Sequence, residues 1–200
     1  MQKHILLLAT KNKDKIKEIA GILENVNITL VSAKDFENIP KVVEDQDTLL
    51  GNAIKKATLY SQATGLPSIA DDTGLEVDAL NGAPGVNSAR YAGENAGYSD
   101  NVQKLLSALA GVEENKRIAR FRTVIAFTDK DKIETVEGLC EGLITDKPSG
   151  SNGFGYDPVF YVSRFNCTFA EMDPDLKNKI SHRGIALSKI KEFLIHYFSS

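Results

Sequence analysis

Ile5 to Ala9 is an unbroken apolar run with the length and character of a buried strand. Straight after it, Ile16, Ile19, Ala20 and Leu23 recur at helical spacing. The same alternation repeats: residues 28 to 32 (ITLVS) read as a strand, and residues 48 to 64 as a helix with Leu50, Ala53, Ile54, Ala57 and Leu59 mostly on one side. Gly65 ends that helix, and Pro67 opens a strand, PSIAD, that stops at Asp71-Asp72. Strands that alternate with helices pair in parallel and are covered by the helices between them. A β-α-β-α-β start therefore commits the chain to an α/β fold.

The rest of the chain adds to that sheet. Ser99 or Asp100 can cap a third helix whose apolar face is Val102, Leu105, Leu106 and Leu109. Residues 117 to 129 and 132 to 145, rich in β-branched and aromatic residues, read as a long hairpin turning at Asp129-Lys130-Asp131, which makes the sheet mixed. VFYVS is a further strand, and a last helix runs from about His182 to Phe198. Two hundred residues suit one domain spanning 1–200, or two tightly joined lobes, with no repeat, low-complexity tract or clear linker. With a net charge of −3 there is no broad basic face, which disfavours a general nucleic-acid binder. The opening apolar stretch is too short for a signal peptide or membrane span. Cys140 and Cys167 form no CxxC motif and read as free thiols in a reducing cytoplasm.

Five stretches carry unusual chemistry. ATKNKDKIKE puts Lys11, Lys13, Lys15 and Lys17 at the first helix start, where the helix dipole already disfavours cations. N–H groups, dipole and ammonium groups together make an anion site with phosphate as the obvious ligand, although the GK[ST] ending of a P-loop is absent. ADDTGLEVDA offers Asp71 and Asp72, which should point opposite ways along a strand. One could face a cleft and bind Mg²⁺ or activate water while the other braces a loop; both could also be plain turn formers before Gly74. VVEDQDT adds Glu44, Asp45 and Asp47 beside a helix start, where capping would also explain them. SGSNGFGYDP is a glycine-rich loop around Phe154, Tyr156 and Asp157, able to bring backbone and an aromatic face to a flat ligand. KNKISHRG reads as a second cationic helix start with Lys177, Lys179, His182 and Arg183, a donor set for carbonyl or phosphate oxygens. No serine–histidine–acid or cysteine–histidine arrangement stands out. Phosphate donors, metal carboxylates, an aromatic platform and polar donors together describe a nucleoside triphosphate site.

ATKNKDKIKE, NAIKKA, ADDTGLEVDALNGAPGVNSARYAG, GSNGFGYDPVF and KNKISHRGIAL, in that order and over nearly the whole chain, resemble the inosine triphosphate pyrophosphatase family. These are house-cleaning enzymes for non-standard purine nucleotides. The resemblance implies a long mixed central sheet with flanking helices, two lobes and a nucleotide cleft between them. It also implies Mg²⁺, a homodimer, and hydrolysis of ITP, dITP and XTP to the monophosphate and pyrophosphate. Carried onto this chain, Thr10, Lys11, Asn12, Lys13, Asp14 and Lys15 would hold the phosphates, with Lys56 a further phosphate contact. Asp72 would be proton acceptor and metal ligand, Glu44 a second acid at the metal, and Thr73 a substrate contact. Phe154, Gly155, Tyr156, Asp157, Lys177, His182 and Arg183 would form the base and sugar site. The chain departs from the family at Gly51, where a glutamate is common, and at Asn87 and Ser149.

Base choice has a physical account. Hypoxanthine and xanthine present an acceptor at the 6-position where adenine presents a donor. Donors on Lys177, His182 or Arg183 would leave adenine's amino group unmatched. Two other readings are a nucleotide-binding sensor without catalysis and a pyrophosphatase for modified pyrimidine triphosphates.

Overall fold

The structure is a computed structural model that describes residues 4–199. Met1 to Lys3, part of the opening stretch weighed above as a leader, lie outside the described residues. Strand β1 (His4–Leu8) is followed by α1 (Lys13–Leu23), β2 (Ile28–Ser32), α2 (Leu49–Thr64) and β3 (Ser68–Val77). After β3 come the short β4 (Pro84–Gly85), α3 (Tyr98–Ala108), and the hairpin of β5 (Ile118–Asp129) and β6 (Lys132–Ile144). The chain closes with β7 (Phe160–Val162), β8 (Cys167–Thr168), α4 (Pro174–Ile180) and α5 (His182–Ser199). The strands form one sheet in the order β2-β1-β3-β5-β6-β7-β8, with β4 on β3. β1 runs parallel to β2 and to β3, whereas β6-β7 and β7-β8 are antiparallel, so the sheet is mixed as expected.

The local chemistry is that of the sequence. β1 has a neighbour on each side, and Leu6, Leu7 and Leu8 are buried, which is why its apolar run is unbroken. Asn12 caps α1, its side chain accepting from the N–H groups of Asp14 and Lys15. Thr48 caps α2 at the start, and Gly65, at φ 70°, takes the left-handed conformation that closes it. Lys130, at φ 51°, turns the β5–β6 hairpin.

By its contacts the chain divides into two compact units. The first comprises residues 1–72, 123–138 and 183–200, and its core gathers Leu6, Leu8, Ile19, Phe127, Leu187 and Ile190. The second comprises residues 73–122 and 139–182, with a core around Leu75, Leu105, Phe121, Phe160 and Phe169.

Four expectations are corrected. β3 does not stop at Asp71-Asp72 but continues to Val77, because Leu75 and Val77 keep the strand buried beyond the acids. The acids are thus strand residues and not turn formers. Neither Ser99 nor Asp100 is the cap of α3: Gly97 is, and Asp100 reaches back to accept its N–H at 2.8 Å. The buried face of α2 is Leu49, Asn52, Ala53, Lys56, Ala57, Tyr60 and Ser61, while Leu50 and Leu59 are exposed. Lastly, KNKISHRG spans two helices. Lys177 and Lys179 lie in the last turn of α4, where the dipole favours cations, and the extended Ser181 separates them from His182 and Arg183 in α5.

Candidate active site

In the first unit, β3, α1, α2 and α5 bring acids against cations. Asp71 and Asp72, in β3, meet different partners, as strand alternation requires. Asp71 Oδ2 receives Lys15 Nζ at 3.0 Å, Arg183 Nε at 3.2 Å and Arg183 Nη2 at 3.1 Å. Arg183 Nη1 in turn donates to Glu18 Oε2 at 2.8 Å. Burial would push the Asp71 carboxyl up, but Lys15, Arg183 and Lys56 outweigh it and hold it well below the usual carboxylate range. One carboxylate thus serves two cations. Lys15 falls below the usual lysine value because burial opposes its charge, Asp71 only partly compensates, and Lys56 and Arg183 repel it.

Asp72 belongs to a second cluster built on Lys56. The Lys56 ammonium donates to Glu44 Oε1 at 2.6 Å, to the Asp71 carbonyl at 2.7 Å and to Asp72 Oδ1 at 2.9 Å. Three donors meet three acceptors. Burial pushes the Asp72 carboxyl up, Glu44 adds to this, and Lys56 does not overcome them, so Asp72 titrates above an ordinary aspartate. Glu44 goes the other way: Lys56 outweighs burial and lowers it. Glu44 is held in place because its segment is tied to α2. Asn52 Oδ1 accepts the Gln46 N–H at 3.0 Å, and Lys55 pairs with Asp45 at 2.6 Å. Gly51 fits this arrangement, since a Cβ there would stand 2.9 Å from the Gln46 Cβ.

The opening lysines separate sharply. Lys15 turns to Asp71, while Lys11, Lys13 and Lys17 are exposed. At 3.6 residues per turn, Lys13 and Lys17 project from roughly the opposite face of α1. Thr10 accepts the Asn12 N–H at 3.1 Å, and Asn12 accepts those of Asp14 and Lys15, so these backbone donors are used by the cap itself. The Asp14 and Lys15 N–H groups are thus taken by the Asn12 cap, and Lys15 sets an ammonium beside Asp71.

In the second unit, Asp157 is the centre. Its Oδ2 receives Lys177 Nζ at 2.7 Å and the Phe154 N–H at 2.8 Å. The same ammonium lies 5.1 Å from the centre of the Phe154 ring, a cation–π contact. Phe154 is half-buried, next to Gly155 at φ 63°, and meets Tyr98 with ring centres 5.8 Å apart. Tyr156 is buried, its hydroxyl donating to the Ser88 carbonyl at 2.9 Å, and burial pushes its phenol upward. His182 stacks on Phe121 with centres 4.4 Å apart. Thr73, half-buried, opens the second unit's part of β3. His182 and Arg183, adjacent in sequence, thus serve different surroundings, aromatic core and carboxylate pair.

Sequence reasoning missed Glu18 and understated Lys56. Glu18 stands three residues after Lys15 on a helix, a spacing that puts both on one face. Lys56 falls in phase with Ala53, Ala57 and Tyr60, and a lysine on an apolar face calls for buried acids. Cys140, pushed up to about 11 by burial and then by Glu141, supplies no thiolate. Among the described residues, no group of three or more His, Cys, Asp or Glu side chains gathers as a metal cluster. The oxygens that do converge are two carboxylates and one carbonyl around the Lys56 ammonium.

Fold and site together define a mixed α/β protein with buried carboxylates set among lysines. The chain belongs to the Ham1 family, whose model matches residues 6–193. A relative from Desulforamulus reducens, named dITP/XTP pyrophosphatase, is 52% identical over 190 residues, 94% of each chain. One of the same name from Geobacter sulfurreducens is 50% identical, over 94% of this chain and 96% of its own. Among solved structures, a HAM1 protein from Coxiella burnetii superposes with a TM-score of 0.88 at 41% identity, covering 96% of this chain and 99% of that one.

Proposed function

We propose that this chain is a pyrophosphatase for non-standard purine nucleoside triphosphates, hydrolysing dITP, XTP and ITP to the monophosphate and pyrophosphate and so clearing them from the nucleotide pool. The observation that carries the reading is the convergence of Glu44 and Asp72 on one cation position, with Lys15 close by on Asp71. The names of relatives matched over nearly the full length support it.

Mg²⁺ fits this donor set. It is a hard cation that takes one or two carboxylates and completes its shell with water and substrate phosphates. Glu44 and Asp72 would hold it, and bound there it would offset charge on the triphosphate. Asp72, with its upward-shifted carboxyl, is the proton acceptor for the water that attacks the α-phosphorus. Lys15, with the exposed Lys11 ahead of the helix, offsets the charge of the leaving pyrophosphate. Asp71, already shared by Lys15 and Arg183, positions these cations and stays ionised. On the base side, Phe154 is the aromatic platform, and Lys177, steadied by Asp157, is the donor to the 6-oxo group. Residues 1–200 then act as one functional domain. By the family resemblance, the protein works as a homodimer. The two free cysteines suit a reducing cytoplasm.

The test is pyrophosphate release from a panel of dITP, XTP, ITP, dATP, dGTP and modified pyrimidine triphosphates, with Mg²⁺ or with a chelator. Release from dITP, XTP and ITP in preference to dATP and dGTP, lost with the chelator, is the expected result. Binding without release would make the protein a sensor, and preference for the pyrimidines would move the activity to that class.

A further inference from the structure

The Lys56 ammonium occupies the point on which the carboxylates of Glu44 and Asp72 converge, and all three of its donors are used there at 2.6–2.9 Å. An ammonium in this arrangement has no N–H left for a phosphate oxygen. A divalent ion ligated by the same two carboxylates would stand close to this ammonium, and the two like charges repel.

We propose that Lys56 is a resident counter-cation: it holds the two metal-ligating carboxylates together when no divalent ion is bound, and yields them to the ion, turning its own N–H groups to the substrate phosphates. This rests on the divalent-metal reading of the site given above.

Charge balance gives the device its use. Lys56, Glu44 and Asp72 together carry one net negative charge, which repels a triphosphate. With a divalent ion added the same set carries one net positive charge, and Lys56 becomes available to the phosphates. Metal and triphosphate then favour each other's binding, and the coupling is reciprocal. Glu44 does not depend on Lys56 alone to stay in place, since the Asn52–Gln46 and Lys55–Asp45 contacts anchor its segment to α2. Removing the ammonium therefore leaves both carboxylates poised around the vacated position.

The experiment is calorimetric titration of Mg²⁺ alone into the nucleotide-free protein, comparing wild type with Lys56→Met and Lys56→Gln. Both variants should bind Mg²⁺ more tightly than wild type, on the order of tenfold or more, the scale of losing charge-assisted competition for two ligands. A non-hydrolysable dITP analogue should tighten Mg²⁺ binding several-fold more in wild type than in the variants. If Lys56→Met fails to fold, Lys56→Gln, which fills the same space without charge, decides the matter. Equal or weaker Mg²⁺ binding in the folded variants, or no binding in any form, overturns the proposal. Failure of the pyrophosphatase reading would show separately, as wild type releasing no pyrophosphate from dITP or XTP.

Discussion

Asp71 and Asp72 are neighbours of identical chemistry, and replacing each by Asn should produce opposite phenotypes. Asp71 is buried, and its Oδ2 receives both Lys15 and Arg183. Removing its charge leaves a buried guanidinium with Glu18 as its carboxylate partner and Lys15 without its ion pair. Breaking a buried pair by removing one partner costs about 3–5 kcal/mol. For a chain of this size about 2–4 °C is lost per kcal/mol, so Asp71→Asn should melt roughly 6–20 °C below wild type. Asp72→Asn should behave otherwise. Lys56 keeps Glu44 at 2.6 Å and the Asp71 carbonyl at 2.7 Å, and the asparagine oxygen still accepts from it. The Asp72 charge is itself disfavoured by burial, so its removal should cost about 1 kcal/mol or less. Turnover of dITP should nevertheless fall on the order of 10²-fold or more, the scale of lost general-base catalysis. Thermal melts and steady-state pyrophosphate release on the two variants decide it. An Asp72→Asn protein that melts as low as Asp71→Asn, or that turns over normally, would refute the division of roles.

Acid should act through the same pair. Because the folded-state value of Asp71 lies below its unfolded one, its stabilisation is full above the ordinary value near ~3.9 and fades as pH falls below it. The melting gap between wild type and Asp71→Asn should therefore shrink from pH 6 to pH 3, and a constant gap would contradict this. Phe154→Ala should raise the KM for dITP roughly 5- to 150-fold, from about 1–3 kcal/mol of lost base stacking, with little change in melting since the ring is half-buried; an unchanged KM would move the platform elsewhere. Gly153→Ala should weaken both folding and dITP binding, because a Cβ there would stand 2.0 Å from Asp157 Oδ2 at a backbone φ of 73°. Normal melting and kinetics in that variant would mean that Asp157 does not organise the base side.

The sequence by itself determined what local preference and pattern can specify. The apolar run of β1, the Asn12 and Thr48 caps, the Gly65 stop and the β5–β6 hairpin are each set by residues within a few positions of one another. The motifs carrying the family resemblance are short and ordered, so they too were legible. Tertiary structure alone decided which charge meets which. Arg183 finds Asp71 across 112 positions and Glu18 across 165, while Lys56 finds Asp72 across 16. No periodicity reports such pairings, since they follow from where β3, α1, α2 and α5 lie in the folded chain. Folding therefore turned four similar lysines into one half-buried partner of Asp71 and three exposed ones. It also turned two adjacent aspartates into a shared counter-ion held low by cations and a carboxylate raised by burial. The continuation of β3 past its acids has the same origin: Leu75 and Val77 are buried in the core beyond them, and Lys15, Arg183 and Lys56 give the two acids partners where they stand in the strand.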